Sequence, residues 1–261
     1  MRLAVLSDIH GNLVALEAVL ADLEAVGGAD TVWVLGDLAL FGPRPAESIQ
    51  RTMALRDQYG EKNVHYISGN TDRYLVTGAR PGGTPIKEDD ENAAEKFAAA
   101  REGIKRLDAV FNWTIAQVTF EDYTALRKLG HELSLKADDS GWVIGYHGTP
   151  GDDEGFLKPD TVEEEARDAL LDREGHIGIG GHIHVQMDRD LGHWRALNVG
   201  SVGMSYDQPG MAQWGLLTFG NGAVEVDLRS VPYDVEAVFA DLGAVDYPLP
   251  AEWLKTRMKL V

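Results

Sequence analysis

Five short polar clusters are the places where this chain could do chemistry: Asp8-Ile9-His10, Gly36-Asp37, Gly69-Asn70-Thr71-Asp72, His147 within Tyr146-His147-Gly148, and Gly181-His182-Ile183-His184. Imidazole nitrogen and carboxylate oxygen together suit borderline divalent cations such as Mn²⁺, Fe²⁺, Zn²⁺ or Ni²⁺. A carboxylate such as Asp37 can bridge two ions, and the neutral side-chain oxygen of Asn70 completes a shell without adding charge. With Asp8 and Asp37 as the only charged ligands, two divalent ions would leave the site at about +2. Two cations about 3.5–4 Å apart can lower the pKa of a bridging water and neutralise phosphoryl oxygens in an in-line displacement. Taken singly, most of these clusters have ordinary readings, since Gly-Asp and Gly-Asn are common turns after a strand. Two imidazoles at i and i+2 in Gly181-His182-Ile183-His184 have fewer structural uses. Their joint occurrence in this order is what points to a metal centre.

Something must bring these residues together, and the apolar runs before them supply it. Leu3–Leu6, Thr31–Leu35, Val64–Ile67, Trp142–Tyr146, His176–Ile179 and Ala196–Val199 read as short buried strands. Between the first two, Leu13, Leu16, Leu20 and Leu23 recur at helical spacing after Asn12. Pro45 suits the first turn of a helix running to about Tyr59. Strand–helix repetition of this kind predicts parallel sheet with right-handed crossovers. In such sheets ligands bind beyond the carboxyl ends of the strands, where all five clusters fall. The rhythm breaks over about 78–139, where a Pro/Gly loop at Pro81–Pro85 precedes helices predicted over Glu88–Leu107 and Glu121–Leu129. This stretch reads as a helical insertion within a single domain spanning 1–261. It could cap the site or merely brace the fold. Gly220-Asn221-Gly222 predicts a hairpin between Trp214–Phe219 and Ala223–Leu228. A last helix is predicted over Val235–Leu242.

Composition narrows the partners. The 24 Lys+Arg against 42 Asp+Glu give a net charge of −18, which repels polyanions at long range and argues against duplex nucleic acid and anionic membranes. Phosphate chemistry on such a chain needs a local inversion of the field, which bound cations provide. The chain contains no Cys, so thiolate metal sites and Cys nucleophiles are excluded. No apolar run reaches about 18 residues, and Asp8 and His10 interrupt the N-terminal run too early for a secretory leader. A cytoplasmic location is expected.

The order D-x-H, G-D, G-N-x-D, H, G-H-x-H resembles that of the calcineurin-like metallophosphoesterase superfamily, and within it the compact bacterial and archaeal phosphodiesterase branch. The segment Asn198–Gly203 and the ending Val231-Pro232-Tyr233-Asp234 also look like that branch, so the resemblance covers nearly the whole chain. It implies an α/β fold, a four-layer α/β/β/α sandwich with the metals at one edge of two packed sheets. It further implies that Asp8, His10, Asp37 and His184 hold one metal, and Asp37, Asn70, His147 and His182 the second, with Mn foremost among the candidate ions. The expected function is hydrolysis of a phosphodiester or phosphoanhydride, such as a nucleotide or dinucleoside polyphosphate, by a metal-bridging hydroxide. His10, Asn70 and Thr71 stand nearest the chemistry in this scheme. Many relatives carry His where this chain has Thr71. A hydroxyl is too weak an acid to replace that imidazole, although it can donate a hydrogen bond, so the departure favours substrates with good leaving groups. Arg44 and Arg73, beside the second and third motifs, are the expected phosphate-binding residues. A phosphomonoesterase, a two-metal hydrolase of another bond, and a non-catalytic scaffold on the same fold are the alternatives.

Overall fold

The computed structural model describes residues 1–83, 85–137 and 141–261. Two five-stranded sheets lie face to face with helices on both outer surfaces, a four-layer α/β/β/α sandwich. The first sheet is built from β1 (Arg2–Leu6), β2 (Thr31–Val34), β3 (Val64–Tyr66), β9 (Met211–Gly220) and β10 (Ala223–Pro232), in the order β10-β9-β1-β2-β3. The second contains β4 (Leu133–Lys136), β5 (Trp142–Gly145), β6 (Ile177–Gly180), β7 (Gln186–Asp190) and β8 (Arg195–Val199), in the order β4-β5-β6-β8-β7.

Strands buried on both faces explain the continuous apolar runs. Leu3 and Val5 of β1 point between the sheets, where they meet Val143, Ile177, Ile179 and Leu197 of the second sheet. Ala4 and Leu6 point the other way, onto Leu16, Val19 and Leu23 of α1 (Leu13–Ala25). The outer face of the second sheet packs Ile144, Tyr146 and Ala196 against Ala166 of α7 (Glu163–Asp168) and Leu170.

The sheets are mixed rather than parallel throughout. Each has a parallel trio, β1-β2-β3 and β5-β6-β8, flanked by antiparallel strands. The antiparallel hairpin β9–β10 has Asn221 and Gly222 with positive φ, 53° and 73°, the turn that Asn-Gly favours. Edge strands β4 and β7 were not predicted: one is four residues long, and the other, Gln186-Met187-Asp188-Arg189-Asp190, reads as a polar loop. The helix predicted from Pro45 to Tyr59 is two, α2 (Pro45–Met53) and α3 (Leu55–Tyr59). Ser68-Gly69 leads directly into another unpredicted helix, α4 (Asn70–Thr77).

In the stretch read as an insertion, α5 (Ala93–Gln117) starts later and runs longer than expected, and α6 is Phe120–Arg127. Val110, Phe111 and Leu126 join the apolar cluster on the outer face of the first sheet. Strand β4 belongs to the same stretch, so it is not wholly helical. Thr84 and residues 138–140, which include the expected end of the insertion, lie outside the described residues. The sequence predicts the fold to close on the helix at Val235–Leu242; that helix is α8 (Val235–Ala244), and a further one, α9 (Ala251–Arg257), follows it. Among the described residues no helix is long and apolar enough to cross a membrane.

Candidate metal centre

The two parallel trios deliver their carboxyl ends to one edge of the sandwich. Asp8 and His10 follow β1, Asp37 follows β2, and Asn70 opens α4 after β3; His147 follows β5, and His182 and His184 follow β6. Asp8, His10, Asp37, His182 and His184 all have φ between 52° and 66°. Non-glycine residues seldom adopt this left-handed conformation, and clusters of them mark functional sites. Backbone bonds hold the turns: Asp8 N donates to Gly36 O at 3.0 Å and His10 N to Asp37 O at 2.9 Å. The segment after β8 braces them, with Val202 N donating to Ser7 O, Gly203 N to Asp8 O, and Ser201 Oγ to Asp8 O at 2.8 Å.

Two glycines are required for close approach. A Cβ on Gly69 would lie 2.1 Å from Asp37 Oδ1 and 2.7 Å from His147 Cε1. One on Gly181 would lie 1.9 Å from Ser7 Oγ and 2.6 Å from Asp8 Oδ2.

All seven side chains singled out in the sequence come together here. His184 Nε2 is 3.1 Å and His10 Nε2 3.7 Å from Asp8 Oδ1, and these two imidazole nitrogens are 3.0 Å apart. His147 Nε2 lies 3.5 Å from Asp37 Oδ2 and 3.1 Å from Asn70 Oδ1. The His147 and His182 rings are 5.1 Å apart. Two trios, Asp8-His10-His184 and Asp8-Asp37-His147, each have ligand atoms within 4.8 Å of one another. His182 is partly exposed and the other six are buried.

Three observations fit a divalent cation. Asp8 Oδ1 and His182 Nε2 are buried with no hydrogen-bond partner among the described residues, and buried polar atoms rarely stay unpaired. Two imidazoles are oriented from behind: His147 Nδ1 donates to Leu35 O at 2.6 Å, and His184 Nδ1 to Met204 O at 2.8 Å. A carbonyl only accepts, so Nδ1 carries a proton and Nε2 is the nitrogen turned to the cluster, the orientation of metal-binding histidines. Finally, the mixed nitrogen and oxygen donor set suits Mn, Fe, Zn or Ni.

The electrostatics are those of a site that wants positive charge. Burial by itself would raise the Asp8 carboxyl, but the His184 imidazole beside it, with His147, holds it at about 2. Asp37 is likewise pushed up by burial, yet His147 keeps it well below the usual carboxylate range. Burial opposes charge on His147 as well, but Asp37, with further help from Asp8, raises it to about 10. Burial lowers His10 to about 4, against the pull of Asp37. His182 is lowered by burial and by His147. A pair of buried carboxylates therefore holds a proton on the His147 imidazole, at the nitrogen where a cation would compete for the lone pair.

Asp72, the last residue of the third motif, had no role assigned from sequence. Its carboxylate is fully buried and accepts from the backbone N–H groups of Asp37 (2.7 Å), Leu38 (3.0 Å) and Gly69 (3.0 Å), tying the second motif to the third. Burial and the Asp37 charge push it up to about 7. Thr71 N donates to Asp37 Oδ1 at 2.9 Å, and the Thr71 hydroxyl donates to Ala39 O at 3.3 Å.

The two expected arginines are engaged elsewhere. Arg44 pairs with Glu47 at 3.3 Å and Asp241 at 3.7 Å, and Arg73 with Asp153 and Glu154, each at 2.6 Å. Arg73 borders a neighbouring cavity that His147 also reaches, while Arg44 borders neither cavity at the cluster. A cavity of about 320 Å³ opens directly onto the cluster, walled by Phe41, Tyr74, Phe111 and Phe156 and reached by a different arginine, Arg257.

The sequence profile of the calcineurin-like phosphoesterase superfamily domain matches residues 1–219. An uncharacterized protein of Methanocaldococcus jannaschii is 27% identical, with 99% of this chain and 97% of that one aligned. A symmetrical bis(5'-nucleosyl)-tetraphosphatase of Neisseria meningitidis is 30% identical over 112 residues, 43% of this chain and 36% of its own length. In fold the chain is similar to a metallophosphoesterase from Sphaerobacter thermophilus, with a TM-score of 0.70, 23% identity and coverage of 99% and 98% of the two chains. A hypothetical protein from Pyrococcus horikoshii superposes with a TM-score of 0.77 at 22% identity, over 97% and 96% of the two chains.

Proposed function

Because the chain belongs to the calcineurin-like phosphoesterase superfamily, we propose that it hydrolyses a phosphodiester or phosphoanhydride with two divalent cations, Mn²⁺ foremost, held by the seven clustered side chains. Asp8, His10, Asp37 and His184 would hold one cation and Asp37, Asn70, His147 and His182 the other. When bound, such a pair supplies an activated water and neutralises the phosphoryl oxygens. The single observation that carries this reading is the convergence of side chains from both sheets on two adjoining, buried trios of potential ligand atoms, Asp8-His10-His184 and Asp8-Asp37-His147.

The protein's own groups set the rest. Leu35 O and Met204 O fix the imidazole tautomers of His147 and His184, and Asp72 holds the Asp37 turn in register with Gly69. Phe41, packed on His10, and Phe111 line the cavity and offer aromatic surface to a substrate ring. Thr71 donates its hydroxyl proton to Ala39 and is too weak an acid to protonate a departing alkoxide. A substrate whose leaving group is stable as an anion suits this arrangement, and dinucleoside polyphosphates are of that kind. The partial match to bis(5'-nucleosyl)-tetraphosphatases supports the nucleotide part of the reading.

The test is metal analysis of purified protein combined with turnover of bis-p-nitrophenyl phosphate, p-nitrophenyl phosphate and dinucleoside polyphosphates after loading with Mn²⁺. Two equivalents of metal per chain and faster cleavage of diester or anhydride than of monoester are expected. Absence of turnover on all three substrates in protein carrying two equivalents would overturn the proposal.

A further inference from the structure

Arg257 closes α9 beyond residue 219, where the family match ends, and it lies in the same cavity as His10, Asp37 and His184. Its Nε is enclosed and has no hydrogen-bond partner among the described residues. That separates it from Arg44 and Arg73, whose guanidinium groups are already held by carboxylates. The Arg257 guanidinium sits 3.7 Å from the centre of the Phe41 ring and 5.5 Å from that of Trp253. Stacking fixes the plane of the fork while leaving its N–H groups available. The chain on either side of it is anchored by Tyr247, whose hydroxyl donates to Phe41 O at 2.5 Å, and by Leu254 and Met258 buried in the core.

An enclosed guanidinium N–H without an acceptor is costly, and a planar fork meets two oxygens of a phosphoryl group in matching geometry. We propose that Arg257 is a substrate-binding residue that takes a phosphoryl group of the scissile ester through its guanidinium N–H groups. The assignment of the ester rests on the phosphoesterase reading above. The competing role is a brace, in which Arg257 merely glues α9 to Phe41.

Arg257→Gln and Arg257→Lys in the full chain, loaded with Mn²⁺, separate the two roles. The measurements are kcat and KM for bis-p-nitrophenyl phosphate, calorimetric binding of inorganic phosphate, and the thermal midpoint. For Arg257→Gln, a rise of about tenfold or more is expected in KM and in the phosphate dissociation constant, as for loss of a charge-assisted bond. A smaller change in kcat is expected, with partial recovery in Arg257→Lys. A lowered thermal midpoint with KM and phosphate binding unchanged would make Arg257 a brace and overturn the proposal. If Arg257→Gln does not fold, Arg257→Lys decides, because loss of the planar fork must still weaken phosphate. Wild-type protein that binds phosphate through Arg257 but turns over no ester would sink the phosphoesterase reading alone. Wild-type turnover with both variants unaltered would sink the Arg257 proposal alone.

Discussion

Asp72 shows how much of a site can reside in a side chain that touches no substrate. Both of its carboxylate oxygens accept backbone N–H groups, two of them from the Asp37 turn. An amide in its place would turn an N–H₂ toward one of those N–H donors. Asp72→Asn is therefore expected to weaken Mn²⁺ binding and kcat/KM by about 10–100-fold, the usual scale for groups behind a metal ligand, with the circular dichroism spectrum retained; calorimetry showing wild-type affinity would refute it. At Thr71, Thr71→His introduces an acid beside the cavity. A rate series over aryl phosphodiesters should show a shallower dependence on leaving-group pKa, with gains of about tenfold or more confined to the poorest leaving groups. An unchanged slope would rule that role out. The proximity of the seven clustered residues was legible because each follows a strand and carries a ligand-type side chain. Arg257 was not, since an arginine's role is set by what lies beside it, and Arg44 and Arg73 were nearer in sequence to the motifs while their acids were hidden in the fold.

Elements with a strong period or a marked turn were readable, as β1, α1 and the β9–β10 hairpin show. Short or polar elements, β4, β7 and α9, were not, because they draw their definition from neighbours rather than from their own pattern. The contact of α1 with the first sheet carries a pH-dependent clamp. Asp22 accepts from Arg229 at 2.7 and 3.1 Å and from Trp214 Nε1 at 3.0 Å. The Arg229 bond holds the Asp22 carboxyl below its ordinary value, outweighing the opposite pull of burial. The unfolded chain thus binds this proton first as pH falls. The stabilisation is complete above the unfolded pKa of about 4 and is lost as pH drops through the lower folded value. Thermal midpoints of wild type and Asp22→Asn should differ by a constant amount from pH 7 to about pH 5 and converge below. A gap that persists undiminished to pH 3 would mean that the carboxylate charge contributes nothing.

On the scale of the whole molecule, a chain of net charge −18 buries the carboxylates of Asp8, Asp37 and Asp72 at one edge, and a cation that binds only the folded form stabilises it by mass action. At about a hundred times its dissociation constant Mn²⁺ contributes ~2.7 kcal/mol, which for a chain of this size raises the thermal midpoint by about 5 °C or more. Scanning calorimetry with and without EDTA measures this, and identical midpoints would contradict a folded-state cation site. Asp8, His10, Asp37 and Asn70 hang from the first sheet, and His147, His182 and His184 from the second. Whatever fills the cluster is thus a rivet through two plates, added to the apolar contact between them and to hydrogen bonds such as His182 N to Asp8 Oδ2 and His147 Nδ1 to Leu35 O. Loosening the plates at Leu217, fully buried between them, should quicken Mn²⁺ release in stopped-flow chelation. An equal truncation at Leu16, on the outer side of the first plate, should leave that release rate closer to wild type. Metal residence time then becomes a strain gauge for how tightly the two halves are pressed together.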